Sequence, residues 1–183
     1  QRCQRNGAMD FDDLLLQTNI LLRDAPDVLA RYQELFKYIL VDEYQDTNYA
    51  QYVIIRRLSQ LHSRVCVVGD DAQSIYSFRG AKIENILSFQ KDFPAARVFK
   101  LEQNYRSTGR ILDAANHVIA NNTGRKGKTL WTKAEAGDPL TLYCATNEND
   151  EARYVATKIM DDFGHGMNFR DHAVLYRMNA QSN

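Results

Sequence analysis

The sequence lacks long apolar runs, paired cysteines and an excess of charge of either sign. No run approaches the roughly 18 consecutive apolar residues that a membrane-spanning helix needs, and no segment has the pattern of a secretory signal peptide. Cys3, Cys66 and Cys144 stand far apart, without a Cys-x-x-Cys pair or histidines at metal spacing. We therefore expect a cytoplasmic protein with free thiols and no structural metal.

A glycine-rich phosphate loop of the form Gly-x-x-x-x-Gly-Lys-Ser/Thr is also missing from the sequence. The chain is therefore expected to lack the backbone cradle that holds phosphates in that class of site. At 183 residues with 44% apolar content, it is long enough for one large domain or two small ones.

The formal net charge is zero, but the charges are unevenly distributed. Residues 1–50 contain five Lys and Arg against nine Asp and Glu, whereas residues 97–133 contain eight against two, a net charge of +6. Such a basic block suits phosphate groups. The alternative is a solvated helix face, and on the charge of the block alone that interpretation is preferred.

A run of four apolar residues that begins at Tyr38 ends abruptly at two adjacent carboxylates, Asp42 and Glu43. A short apolar run bounded by polar residues is typical of a buried parallel strand, and ligands bind outside the carboxyl ends of such strands. There, Asp42 can hold a magnesium ion that bridges two phosphates, and Glu43 can deprotonate an attacking water. The alternative is that Asp42 caps the next helix and Glu43 is merely solvated.

A second apolar segment, residues 64–70, also ends in an acid, Asp70. The apolar pattern between residues 48 and 61 predicts a helix, so the order strand, helix, strand predicts a parallel crossover. Asp42, Glu43 and Asp70 are then expected at one carboxyl edge of the sheet. Further strands are predicted at 97–101, 140–144 and 172–176, and further helices at about 10–22, 28–36, 83–93, 111–119 and 150–163.

Three strings follow one another in the chain: Asp-Glu-Tyr-Gln-Asp-Thr at 42–47, Gly-Asp-Asp-Ala-Gln-Ser-Ile-Tyr-Ser-Phe-Arg-Gly-Ala at 69–81, and Leu-Glu-Gln-Asn-Tyr-Arg-Ser at 101–107. With them the chain resembles superfamily 1 DNA helicases of the UvrD/PcrA/Rep type, in which these strings look like motifs II, III and IV. The likeness covers nearly the whole chain, and three long motifs at compatible spacing argue against a chance match.

The resemblance implies an α/β fold with two parts. Residues 1–103 would be the later part of a parallel-sheet, RecA-like P-loop NTPase lobe, and residues 104–183 the beginning of a second RecA-like lobe. We therefore expect an internal fragment of a longer helicase, inactive alone because the phosphate loop is absent.

The same resemblance implies roles at a site for ATP and Mg²⁺. Asp42 would coordinate the magnesium ion and Glu43 would be the general base. Gln73 would sense the γ-phosphate and couple it to DNA. Tyr105 would stack near the adenine, and Arg106 would be the arginine finger beside the crevice.

Tyr76, Phe78 and Arg79 would face single-stranded DNA, because aromatic faces accept any base and Arg pairs with phosphate or stacks. Phe78 stands where relatives usually have Trp, so less area would stack. The order Asp-Asp-Ala-Gln at 70–73 also differs from the more usual Asp-Ala-Asp-Gln. Three alternatives remain: Phe78 in the core, Tyr105 packed at a strand end, and Arg106 paired with Glu102 or Asp113.

The leading hypothesis is an ATP-dependent DNA helicase that couples ATP hydrolysis to translocation on single-stranded DNA and to duplex unwinding. By the resemblance it would move 3′ to 5′, act in DNA repair or replication, and bind single strands and duplex junctions. Two alternatives are a non-catalytic DNA-binding module and a helicase subunit of a RecB/AddA-like helicase-nuclease. The joint presence of Glu43, Gln73 and Arg106 favours an active parent protein.

Overall fold

The computed structural model describes residues 7–124 and 127–176. The chain divides into two compact units, Gln1–Gly137 and Asp138–Asn183, and the first unit contains every predicted site residue. The predicted lobe boundary between residues 103 and 104 concerns the two lobes of the family and stays a prediction.

Three helices of the first unit pack pairwise on one another. Helix α1 spans Phe11–Asp24 and begins at a capping box, in which the Asp10 carboxylate accepts the N–H of Asp13. Helix α2, Pro26–Leu35, starts with proline, whose missing N–H costs nothing in the first turn. Helix α3 spans Tyr49–Ser59. These bounds confirm the three helices predicted for this part of the chain.

The sheet consists of two short parallel strands, β1 (Ile39–Val41) and β2 (Val65–Val67), with Ile39 opposite Val65. Since both strands run the same way, Asp42 and Asp70 follow the same edge, which confirms that prediction. Helix α3 lies between the strands in sequence, and its cap is Asn48, whose side chain accepts the N–H of Gln51. The alternative that Asp42 caps this helix is therefore wrong.

The core of the first unit lies beside the sheet and is centred on Tyr44, Ile86 and Phe89. The Tyr44 ring is fully buried and meets Phe89 edge-on, with centroids 5.6 Å apart. Burial is the main reason that the pKa of Tyr44 rises to about 12. The residue that follows the acidic pair thus anchors the site to the core.

The single helix predicted at 83–93 is instead two one-turn helices, α4 (Glu84–Leu87) and α5 (Phe89–Asp92). Ser88 separates them with φ −93° and ψ 1°. Tertiary contacts explain the break, because Phe89 turns into the core and Asn85 Nδ2 donates to the Thr47 carbonyl. Local propensity is weaker than such packing.

Two longer helices complete the described structure. Helix α6 spans Gly109–Ile119 in the first unit, and helix α7 spans Glu148–Gly164 in the second. Both match predicted helices. Within residues 7–124 and 127–176, no helix combines the length and the apolar character needed to cross a membrane.

The strands predicted at 97–101, 140–144 and 172–176 are wrong, since these described segments form no ladder. A strand exists only where a neighbouring backbone accepts and donates its hydrogen bonds, and an apolar pattern does not supply that neighbour. Leu142 and Leu175 are accordingly almost fully exposed. One isolated parallel bridge, between Gln103 and Trp131, lies just after the first of these segments.

Candidate functional site

The two acidic residues after β1 occupy a sharp change of chain direction. Glu43 has φ 48° and ψ 43°, the left-handed region, and precedes a 3₁₀ turn at Tyr44–Asp46. A non-glycine residue there is uncommon, and such strained conformations cluster at functional sites. The N–H of Glu43 donates to Asp42 Oδ1 at 2.9 Å, and both carboxylates are exposed at the sheet edge.

The carboxylate at this edge is of the type that binds magnesium. Magnesium is usually held by one or two carboxylates together with phosphate oxygens and water. Asp42 supplies one exposed carboxylate at the sheet edge. Asp42 therefore suits a magnesium ion that arrives with a nucleotide.

Gln45 is a site residue to which sequence reasoning gave no role. Its side chain is fully buried, and it lies between the acidic pair and the loop after β2. Gln45 Nε2 donates to Glu43 Oε2 at 2.7 Å, while Gln45 Oε1 accepts the N–H of Asp70 at 3.0 Å. The only signal in the sequence was its place within the string 42–47.

Asp70 gathers donors at the end of β2. Its Oδ1 accepts the N–H of Ala72, and its Oδ2 accepts from Gln73 Nε2 at 2.8 Å and pairs with Lys128 Nζ at 2.7 Å. Burial raises the pKa of this carboxyl, but the hydrogen bonds from Lys128, Gln73 and Ala72 outweigh it, so the net pKa lies below the usual 3.8. Asp70 is therefore a fixed anion that holds the Gln73 amide.

Lys128 is the second residue that sequence reasoning missed as a contact. It belongs to the basic block, for which phosphate binding and a solvated helix face were the two interpretations, and the anion it meets is Asp70, 58 positions earlier. The segment Gly127-Lys128-Thr129 matches the last three residues of a phosphate loop. However, Asn122 stands where that motif needs glycine, and the next described helix is α7. This segment is not a phosphate loop.

The aromatic residues of the loop at 69–81 form a stacked group. The rings of Tyr76 and Phe78 stack with centroids 5.8 Å apart, and the guanidinium of Arg79 lies 5.5 Å from both centroids. Phe78 is 65% exposed, so the alternative that places it in the core is wrong. This aromatic–arginine group offers the flat apolar faces and the charge that unpaired bases and phosphates require.

Backbone contacts fasten this loop to the segment after the acidic pair. Ala81 forms an antiparallel bridge with Asn48, and the N–H of Lys82 donates to the Thr47 carbonyl at 3.0 Å. At the other end, the N–H of Tyr44 donates to the Val68 carbonyl at 3.0 Å. Gln73 and the aromatic–arginine group therefore belong to one loop whose two ends are attached near Asp42 and Glu43.

Tyr105 and Arg106 lie on an exposed turn before α6. The side-chain oxygen of Asn104, Oδ1, accepts hydrogen bonds from the backbone N–H groups of Arg106 and Ser107. The backbone N–H of Asn104 donates to the Trp131 carbonyl. Tyr105 is 85% exposed, which contradicts the alternative that it packs at a strand end.

The structure brings together some predicted site residues and leaves others apart. Hydrogen bonds link Glu43 through Gln45 and Asp70 to Gln73, and Asp42 accepts the N–H of Glu43. Within the described residues, no hydrogen bond or ion pair joins the Arg106 guanidinium to this group. None joins it to Glu102 or Asp113 either, so the ion-pair alternative finds no support.

The described structure is α/β, with two exposed carboxylates at a parallel sheet edge and one loop that connects this edge to an exposed aromatic group. Comparison with known proteins identifies the family. Residues 1–94 match the model of the UvrD/REP helicase N-terminal domain, and residues 99–183 match that of the UvrD-like helicase C-terminal domain. The chain belongs to the UvrD/REP helicase family.

Individual relatives show the same relationship. The chain is 52% identical to ATP-dependent DNA helicase PcrA of Staphylococcus aureus over all of its length, and 53% identical to DNA helicase II of Haemophilus influenzae over 98% of its length. A PcrA of Staphylococcus epidermidis is 51% identical. The chain spans about a quarter of the length of these relatives.

Proposed function

We propose that the chain is the section of an ATP-dependent DNA helicase in which nucleotide hydrolysis is coupled to single-stranded DNA. The observation that best supports this is the loop at 69–81, which presents Phe78 to solvent and is linked to Glu43 by hydrogen bonds from Gln73 through Asp70 and Gln45. RecA-like lobes, at 1–103 and 104–183, are part of the proposal. The small parallel sheet and the two family matches support them.

In the proposed mechanism, Asp42 would hold a magnesium ion, which would supply positive charge beside the phosphates of a bound nucleotide. Glu43 accepts a proton from the attacking water, and its exposed carboxylate at the sheet edge suits that task. Tyr105 stacks on the adenine, and its exposed ring is available for this contact. Arg106 stabilises the charge that develops on the transferred phosphoryl group.

In this proposal, Gln73 links ATP hydrolysis to the binding of single-stranded DNA. In this structure Gln73 is exposed, and its amide donates to the Asp70 carboxylate at 2.8 Å. When the amide turns to a γ-phosphate, the loop that contains Tyr76, Phe78 and Arg79 has to respond. Stacking of bases on these rings, with Arg79 near the backbone phosphates, would then change with the state of the nucleotide.

The wider proposal concerns the whole protein. We infer translocation in the 3′ to 5′ direction, unwinding at duplex junctions and a role in DNA repair or replication, because the chain shares half of its residues with helicases over its full length. A cytoplasmic location is part of the proposal, because the relatives named as DNA helicases come from bacteria, whose DNA lies in the cytoplasm. The helicase-nuclease alternative differs only in whether the full-length protein also cleaves DNA.

The test is ATP hydrolysis and strand separation by a full-length helicase that contains this segment. Single-stranded DNA should stimulate hydrolysis, and Glu43→Gln should abolish turnover while nucleotide still binds. Duplexes with a 3′ tail should be unwound and those with a 5′ tail should not. A protein that binds DNA but hydrolyses no ATP would instead support the non-catalytic module.

A further inference from the structure

The side chain of Gln45 lies between the acidic pair and the loop after β2, and it is 1% exposed. Its amide nitrogen donates to Glu43 Oε2 at 2.7 Å, and its amide oxygen accepts the N–H of Asp70 at 3.0 Å. The partners fix the orientation of the amide, since a carboxylate only accepts and an N–H only donates. A buried amide with both ends bonded in this way is held in one rotamer.

Gly69 makes room for this amide. A Cβ on residue 69 would lie 2.5 Å from Gln45 Oε1, 2.9 Å from Ile86 Cδ1 and 3.2 Å from the backbone nitrogen of Tyr44. No side chain fits there without displacing Gln45 or the core. The backbone after β2 is therefore shaped around the Gln45 amide.

The Glu43 carboxylate depends on Gln45 for its orientation. The residue is exposed, and among the described residues the Gln45 amide is the one hydrogen-bond donor to its side chain. The Glu43 backbone is held separately, by Asp46 N–H donating to the Glu43 carbonyl at 2.9 Å and by its left-handed φ. Loss of the Gln45 bond would leave the backbone in place and free the carboxylate to rotate.

We propose that Gln45 is a positioning residue for ATP hydrolysis: it fixes the Glu43 carboxylate and ties that carboxylate to the loop that contains Gln73. The connection is continuous, because the Asp70 N–H donates to the Gln45 amide oxygen and the Asp70 carboxylate accepts from the Gln73 amide. A shift of the Asp70 backbone when DNA meets the loop would move the Gln45 amide and with it the general base. The inference rests on the proposed function of Glu43.

The experiment measures single-stranded-DNA-stimulated ATP hydrolysis by a full-length helicase that contains this segment. Gln45→Met keeps the side-chain length and removes both hydrogen bonds. Gln45→Asn keeps an amide that is one methylene too short to reach both partners. Gln33→Met is the matched control, since Gln33 also donates from a partly buried amide, to the Arg57 carbonyl at 2.6 Å, away from the site.

Both Gln45 variants should lower kcat by roughly tenfold to a hundredfold, the usual effect of a misplaced catalytic group, with the KM for ATP within about twofold of wild type. The stimulation by DNA should fall as well, while affinity for an oligonucleotide stays unchanged. Gln33→Met should leave kcat and the stimulation ratio unaltered. Should Gln45→Met not fold, Gln45→Asn supplies the same measurements.

A folded Gln45 variant with normal kcat and normal DNA stimulation would overturn the inference. The inference would also be overturned if Gln33→Met lost kcat as well, with the loss in each variant following the fall in its melting temperature. The role of Gln45 would then be stability alone. Glu43→Gln, measured in parallel, separates failure of the proposed role of Glu43 from failure of the proposed role of Gln45. If Glu43→Gln retains turnover, the proposed function of Glu43 fails; if it abolishes turnover while Gln45 variants are normal, only the role of Gln45 fails.

Discussion

At the residue scale, the backbone of Glu43 is the most unusual feature of the site. Its φ of 48° is a conformation in which a Cβ meets the following carbonyl oxygen, whereas glycine adopts it freely. The position therefore keeps a carboxylate at the expense of backbone strain. This is the pattern expected where chemistry, rather than stability, determines the residue.

Replacing Glu43 by glycine and by alanine should separate strain from chemistry. Both variants lose the carboxylate, but Glu43→Gly should be more stable than Glu43→Ala by about 1 kcal/mol, because only glycine relaxes the left-handed φ. Elsewhere the order is usually the reverse, since glycine has more freedom to lose on folding. Denaturant unfolding of the two variants measures the difference. Greater stability of the alanine variant would show that the strain is absent.

Phe78 should account for much of the affinity for single-stranded DNA. Its exposed ring can stack on a base, so Phe78→Ala should weaken binding by about 1–3 kcal/mol and Phe78→Trp should strengthen it. Arg79→Ala should reduce the slope of log affinity against log salt by about one if Arg79 meets a phosphate. Titration of a labelled oligonucleotide at several salt concentrations tests both. Equal affinity across the Phe78 series would exclude stacking on this ring.

Arg106→Ala should reduce kcat by roughly 10³ to 10⁵ with little change in melting temperature, because an arginine finger stabilises transition-state charge and contributes little to folding. The exposed guanidinium, with no ion pair to Glu102 or Asp113 within the described residues, is consistent with a small effect on stability. ATP hydrolysis and thermal unfolding of the full-length variant are the measurements. Early melting with normal hydrolysis would mean that Arg106 is structural.

Short-range patterns predicted part of the site, and long-range contacts determined the rest. Asp42 and Glu43 were identifiable because an apolar run stops at them. Gln45 and Lys128 were not identifiable, because each contacts Asp70, which lies 25 positions from Gln45 and 58 positions from Lys128. No sequence periodicity indicates contacts at such separations. The roles of Tyr105 and Arg106 came only from the family resemblance and stay predictions.

At the scale of elements, the segment after α6 is tied to the loop after β2 by the ion pair of Lys128 with Asp70. Both side chains are mostly shielded, 25% and 17% exposed, so solvent screens this pair less than an open surface pair. The pair therefore connects a part of the chain that the family places in its C-terminal domain to one in its N-terminal domain.

Lys128→Met should destabilise the fold by roughly 1 kcal/mol at pH 7, between the values for an exposed pair and for a hydrogen bond to a buried charge. The folded pKa of Asp70 is lowered, so its contribution is present above its unfolded value of about 3.8 and is lost as pH falls through the folded pKa. The difference between wild type and Lys128→Met should therefore shrink in acid. Unfolding measured from pH 7 to pH 3 tests this.

Lys158→Met is the control for that series, because Lys158 pairs with Asp162 at an exposed i,i+4 position. A loss at pH 7 that is no larger for Lys128→Met than for Lys158→Met would show that the pair with Asp70 adds no stability.

Helices were predicted more reliably than strands, for a physical reason. A helix satisfies its own backbone, and caps such as Asp10 and Asn48 are visible in the sequence. A strand depends on a neighbour, so the apolar segments at 97–101, 140–144 and 172–176 were predicted as strands that the described structure does not contain. The helix predicted at 83–93 divided because Phe89 and Asn85 have partners in the core.

At the scale of the whole molecule, the sequence contains the acidic pair proposed for hydrolysis but no phosphate loop. The purified 183-residue chain should therefore show no ATP hydrolysis above background, because neither the lysine nor the backbone cradle of that loop is in its sequence. Phosphate release at increasing chain concentration is the measurement. Release that is proportional to concentration and abolished by Glu43→Gln would contradict this expectation.

The fit between Gly69 and Gln45 also limits the substitutions that these two positions accept. A Cβ at residue 69 would lie 2.5 Å from the Gln45 amide oxygen, 2.9 Å from Ile86 Cδ1 and 3.2 Å from the Tyr44 backbone nitrogen. A smaller residue 45 removes only the first of these contacts, and it leaves Glu43 and the Asp70 N–H without their partner. A library of paired variants at 45 and 69 should therefore contain no double change that restores wild-type stability. The two positions, 24 apart in sequence, cannot compensate for each other.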